Sequence, residues 1–190
     1  MVRAIAGVLL AVFSMGCATA ALSPVQSQAL KEAQRFADQV TEDYHVQGVR
    51  VRVLQGTTSF DPDINWGRHL SIAAVDLGRR DLFEKMTLPL AWATVGYIPD
   101  SPTAAPYRRQ YLYDLNRRAV ELSVKYLGIT TRAAVETNAQ RIVKENDAFR
   151  KRGRQLGPYE VTPCEQLADL WSHFAIADPP PACEADWTRK

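Results

Sequence analysis

The sequence is short of net charge, of long apolar runs and of cysteine. Its 23 basic side chains nearly balance 21 acidic ones, leaving a formal charge of +2 over 190 residues. That is too weak a field to hold a nucleic-acid backbone, so no nucleic-acid partner is expected. The longest apolar stretch, Ala4 to Phe13, falls well below the roughly 20 residues of a membrane-spanning helix. No internal repeat or low-complexity segment occurs, which excludes a repeat architecture. What remains is 46% hydrophobic and 23% charged, a composition that folds rather than staying disordered. The length is that of one domain with a real core.

The short apolar run has a use. Arg3 precedes it and small residues follow, the pattern of a secretory signal. Residues 1–20 are therefore expected to be a signal peptide and 21–190 a single globular domain. Two cuts fit. Ser14-Met15-Gly16-Cys17 places Gly before a Cys, as in bacterial lipoprotein signals, and would leave Cys17 as the lipid anchor on the membrane. Ala18-Thr19-Ala20 is a small-x-small site that discards Cys17. The first gives an outer-membrane lipoprotein facing the periplasm, the second a soluble periplasmic or secreted protein. Either way the bacterial envelope is the expected location. Of the three cysteines, Cys164 and Cys183 then remain as an even pair in an oxidising compartment. Their disulfide would be worth about 3 kcal/mol through chain entropy; two free buried thiols are the alternative. The densest basic run, Arg150-Lys151-Arg152 with Arg154, falls at an expected helix end, where cations complement the macrodipole.

Local patterns predict an α+β fold, a helix-dominated single domain with a small two- or three-stranded sheet. Ser23, Pro24 and Gln26 form a capping box with proline at the first helical position. Val25, Ala29, Ala33, Phe36, Val40 and Tyr44 follow at helical spacing, and Gly48 is read as the stop. Val49, Val51 and Val53 alternate with arginines as a strand over 49–54, and a loop is predicted over 55–68. A second strand covers 69–74. A helical stripe from Leu112 to Tyr126 ends at Gly128, and another helix starts at Thr130 or Thr131. Thr162-Pro163-Cys164-Glu165 is a second capping box. Pro179-Pro180-Pro181 then forbids helix and returns the chain to Cys183.

One segment stands apart. From Leu88 to Ile98 there is no charge and hardly a polar group, as in a helix buried on all sides. Thr87 is read as its cap and Pro89 as lying in its first turn. This segment reads Ala91-Trp92-Ala93-Thr94-Val95-Gly96-Tyr97, and a later helix reads Leu112-Tyr113-Asp114-Leu115-Asn116-Arg117-Arg118-Ala119-Val120-Glu121-Leu122. Together with the ending Pro163 to Leu170, the order resembles small exported relatives of gluzincin-type zinc metallopeptidases. Those proteins carry Ala-His-Glu-Leu-Gly-His on a central helix and a glutamate ligand on a later one.

The resemblance implies a metallopeptidase-like fold from which the chemistry has gone. Two His at i and i+4 hold zinc, the intervening Glu activates water, and a third ligand leaves one position open. By position the two His fall on Trp92 and Gly96, the Glu on Ala93 and the later ligand on Leu112. These four degenerate positions offer no donors. Asp114, Asn116 and Glu121 are retained, with Asp114 placed to pair with Arg117 or Arg118. A second register, Ala74-Val75-Asp76-Leu77-Gly78-Arg79, also mimics the motif without histidine. His45, His69 and His173 are scattered. The resemblance therefore implies no cofactor, no metal and no catalytic residue. It predicts that Trp92 fills the former metal space, largely buried between two helices. The reading is a non-catalytic envelope protein, a pseudo-metallopeptidase, acting on an envelope protein partner. The alternatives are a helical structural or interaction lipoprotein unrelated to peptidases, and an active peptidase with an unrecognised site.

Overall fold

The computed structural model describes residues 21–65, 68–96, 105–153, 155 and 161–183. Cys17 with the rest of residues 1–20, and Tyr97, Ile98 and Arg154, lie outside them. Helix α1 (Pro24–Asp43) opens with the capping box read from the sequence. The Ser23 hydroxyl accepts from Gln26 N–H at 3.2 Å, and Gln26 Oε1 accepts from Ser23 N–H at 3.0 Å. Its core face is Ala29, Ala33, Phe36, Ala37 and Val40. Val25 does not join that face; it is 73% exposed. The helix also stops before Gly48, with Tyr44 as its C-cap and His45 left-handed at φ 51°.

Strand β1 (Arg50–Leu54) buries Val51 and turns Arg50 and Arg52 outward. It pairs in parallel with β3 (His69–Ala73), Val51 opposite Leu70 and Val53 opposite Ile72. The expected loop between them contains one more strand, β2 (Asp63–Ile64), antiparallel to β3 on its other side. The sheet order is thus β1-β3-β2. Two residues are too few to show a period of two, so composition alone read them as loop. The outer edge of β1 is closed by a side chain: Gln34 donates to the Val49 carbonyl and accepts from Val51 N–H, both at 2.8 Å. An α1 amide thus stands in for a fourth strand.

A single 3₁₀ turn, Ala74–Asp76, follows β3. Its buried Asp76 accepts from the Ser59 hydroxyl at 2.6 Å and from Phe60 N–H at 3.2 Å, strapping the long loop to the sheet. The second motif-like register therefore forms a turn and an anchor. Helix α2 runs from Leu82 to Val95, starting a turn and a half before Thr87. Thr87 is no cap; its hydroxyl donates back to the Glu84 carbonyl at 2.7 Å. Pro89 sits inside the helix, buried. A prolyl nitrogen cannot serve the carbonyl four residues back, a defect of about 3 kcal/mol that the packing of the helix outweighs. Met86, Leu90 and Ala91 are fully buried, but within the uncharged segment Leu88, Trp92, Thr94 and Val95 are only partly so, and the helix is not enclosed on every side.

Helices α3 (Ala105–Leu127), α4 (Thr131–Lys151) and α5 (Pro163–His173) complete the fold. Gly128 ends α3 in the left-handed region at φ 65°. Thr130, rather than Thr131, caps α4, and Arg150 and Lys151 lie in its last turn as predicted. The Thr162–Glu165 capping box opens α5. Cys164 and Cys183 form a disulfide with Cα atoms 5.6 Å apart. Two clusters make the core. One joins α1, the sheet and α2 to Ala119 and Leu122; the other joins Val120 to α4 and α5. Neighbouring residues of α3 thus face different cores. The protein is an α+β, helix-dominated fold with a small mixed sheet. No helix among the described residues is long and apolar enough to cross a membrane.

Candidate functional site

Helices α2 and α3 pack against each other, so the two segments bearing the motif-like residues lie on adjacent helices. Trp92, in the last turn of α2, is partly buried and packs against the first core. Ala93 is 3% exposed and its carbonyl accepts from Arg68 Nη2 at 3.2 Å. Gly96 lies just past the helix, exposed, at φ 91°. A side chain there is strained whatever room it has. Leu112 is half-buried on α3.

The retained residues of α3 are all engaged. Asp114 accepts from Gln110 at 3.1 Å and lies 3.6 Å from Arg117, the helical ion pair read from spacing. Glu121 takes Arg117 and, at 3.0 Å, Arg118. Arg118 also covers the Tyr44 ring at 4.1 Å. Among the described residues no three His, Cys, Asp or Glu side chains are grouped as a metal site requires. The histidines stay apart: His173 Nδ1 hydrogen-bonds the Tyr113 hydroxyl. His69, on β3, is held below its ordinary pKa by desolvation and by Arg52 and Arg50.

Asn116 leads elsewhere. It is 1% exposed and forms the hub of a polar network joining three helices. Its Oδ1 accepts from Arg141 Nη2 at 2.7 Å, its backbone carbonyl accepts from Asn138 at 3.0 Å, and its Nδ2 donates to Gln166 Oε1 at 3.2 Å. Arg141 adds Nε to Asn138 at 3.0 Å and Nη1 to Glu145 at 3.1 Å. Burial lowers its pKa, with Glu145 opposing that shift; a guanidinium still keeps its charge. No buried side-chain polar atom among the described residues lacks a partner, so the network is satisfied and its arginine is fixed in place.

That arginine borders a cleft of about 750 Å³, within the usual range of about 300–1,000 Å³ for ligand sites. One wall is the face of α2 carrying Asp81, Glu84, Lys85 and Leu88, and the opposite wall is the face of α4 carrying Asn138, Arg141, Lys144 and Glu145. Between them lie Ala119 and Ser123 of α3. None of Trp92, Ala93, Gly96 and Leu112 lines it. Sequence reading missed this cleft. Its walls are recognisable as helical spacing, 81-84/85-88 and 138-141-144/145, but nothing in a linear pattern says that two such faces oppose each other.

The chain matches no family model, no curated protein and no solved structure.

Proposed function

We propose that this chain is a non-catalytic protein of the bacterial envelope that acts by binding a protein partner, on a metallopeptidase-like scaffold. The observation that carries the reading is the pairing of α2 with α3, with Trp92, Ala93, Gly96 and Leu112 at the positions that resemble ligand and base. Trp, Ala, Gly and Leu side chains supply no donor suited to zinc. Export rests on the Arg3 segment, the apolar run and Gly16-Cys17, with lipid on Cys17 as membrane anchor or a cut after Ala20. The Cys164–Cys183 disulfide fits an oxidising compartment.

A second reading, a helical interaction lipoprotein without peptidase ancestry, draws support from Gly96. The second ligand position falls beyond the helix, whereas a His pair at i and i+4 requires both residues on one helical face. Elemental analysis of the purified protein, with casein hydrolysis measured with and without chelator, tests the non-catalytic core of both readings. No stoichiometric zinc and no chelator-sensitive cleavage is the expected result. One equivalent of zinc, or cleavage lost on chelation, overturns it. Mass spectrometry of the mature N-terminus tests export separately: a lipidated Cys17 or a start at Ala21 is expected, and an uncut chain starting at Met1 in cells would sink the envelope assignment.

A further inference from the structure

The charges around the cleft do not all cancel, and the remainder has a pattern. Lys85 is bound by Asp61 at 3.1 Å and Asp81 at 3.4 Å. Arg141 is held by Glu145 and by the buried asparagines. That leaves one carboxylate and one ammonium on the lining. The Glu84 side chain, half-buried on the α2 wall, and the Lys144 side chain, on the α4 wall, make no hydrogen bond or ion pair with any described residue. They do not close on each other, and the floor between them is small and largely apolar.

An unpaired carboxylate opposite an unpaired ammonium, separated by apolar surface, is complementary to one class of molecule. That molecule is apolar in its middle and carries opposite charges at its two ends. We propose that the cleft binds a short apolar peptide as its zwitterion. The free α-ammonium of the peptide meets Glu84, and its carboxylate meets Lys144 with the fixed Arg141 beside it. Charge-assisted contacts at both ends set the orientation, and the apolar floor supplies burial without selecting a particular side chain. The volume suits a peptide of a few residues and is too small for a folded partner.

This goes beyond the proposed function and does not rest on the peptidase likeness, since the cleft contains none of the four degenerate positions. A positive zinc assay would leave it standing, and its failure would leave the zinc result untouched.

The test is calorimetric titration of the purified protein with trileucine, its N-acetyl form and its C-terminal amide. Saturable binding of trileucine is expected, weakened about tenfold by either cap, as the loss of one charged contact implies. Glu84→Gln should weaken trileucine about tenfold but leave the N-acetyl form unchanged. Lys144→Gln should do the same toward the amide. Both side chains lack partners among the described residues, so the variants should melt with the parent protein, and matching thermal unfolding verifies it. No saturable binding at millimolar peptide overturns the proposal. So does equal affinity for free and capped forms, or capped-peptide losses that simply add to those of the variants. A concentration-dependent dimer that excludes trileucine would also overturn it, by showing that a second copy covers the cleft.

Discussion

The two cores of this protein are held by different means. The first, formed by α1, the sheet and α2, is almost wholly apolar: Val40, Leu70, Ile72, Met86 and Leu90 are among its fully buried side chains. Its few buried polar groups are local anchors such as Asp76. The second, formed by α4 and α5 on one side of α3, has fewer large side chains and more polar ones. Asn116, Asn138 and Asn146 are buried there, and a disulfide ties the start of α5 to the tail. A layer with enough apolar area needs no covalent help. A three-helix layer with less of it gains specificity from a satisfied amide network and stability from a cross-link. The cleft follows the same division. The apolar layer presents one wall of the cleft, and the polar layer presents the other together with its hydrogen-bonded arginine.

The largest expected break in this comparison is Leu90→Ala. Leu90 is fully buried in the first core, and such truncations cost about 2–5 kcal/mol. Chemical denaturation should show that loss, and circular dichroism should show both layers melting together, because α3 serves both cores. Separate melting would mean two independent units.

Breaking the Cys164–Cys183 bond should come next. Paired replacement by serine is expected to cost about 3 kcal/mol. Hydrogen exchange should quicken in α5 and the tail well before α1, while the sheet stays protected. Uniform acceleration would refute the view that the staple serves only the second layer.

The smallest effect concerns the seam. Asp43, ending α1, meets Lys125 at 2.8 Å and accepts from the Tyr126 hydroxyl at 2.6 Å. These hydrogen bonds hold its carboxyl below the ordinary carboxylate pKa. A lowered folded pKa means that the unfolded chain binds protons first, so the contribution is present above the unfolded value and lost as pH falls through the folded one. Melting temperature should therefore fall below about pH 4, and Asp43→Asn should make that fall shallower. An unchanged acid limb would show that the contact is too solvated to matter, as for many exposed pairs.

Ser23 with Gln26 and Thr162 with Glu165 were legible because a capping box joins residues three apart and needs no tertiary partner. The alternation of Val49, Val51 and Val53 showed β1 for the same reason. Pro89 misled the reading of α2: a mid-helix proline is locally unfavourable, so the local rule moved the helix start to Thr87. Burial of Met86, Leu90 and Ala91 outweighed that rule. The candidate site was less legible still. The resemblance drew attention to Trp92 and Gly96, at the end of α2, whereas the cleft lies along the earlier turns of that helix.

By itself the sequence determined what short-range physics determines: the helix-dominated class, the two capping boxes, the alternating strand and the apolar character of α2. Only the tertiary structure decided that a two-residue β2 flanks β3, that Gln34 closes the sheet edge, that Asn116 faces Arg141, and that Glu84 and Lys144 stand on the cleft walls without a side-chain partner among the described residues. Each of these depends on a contact between residues far apart in the chain. Such a contact forms only when several helices have packed, and packing follows from the summed shape and burial of whole faces rather than from any motif that can be read along the sequence.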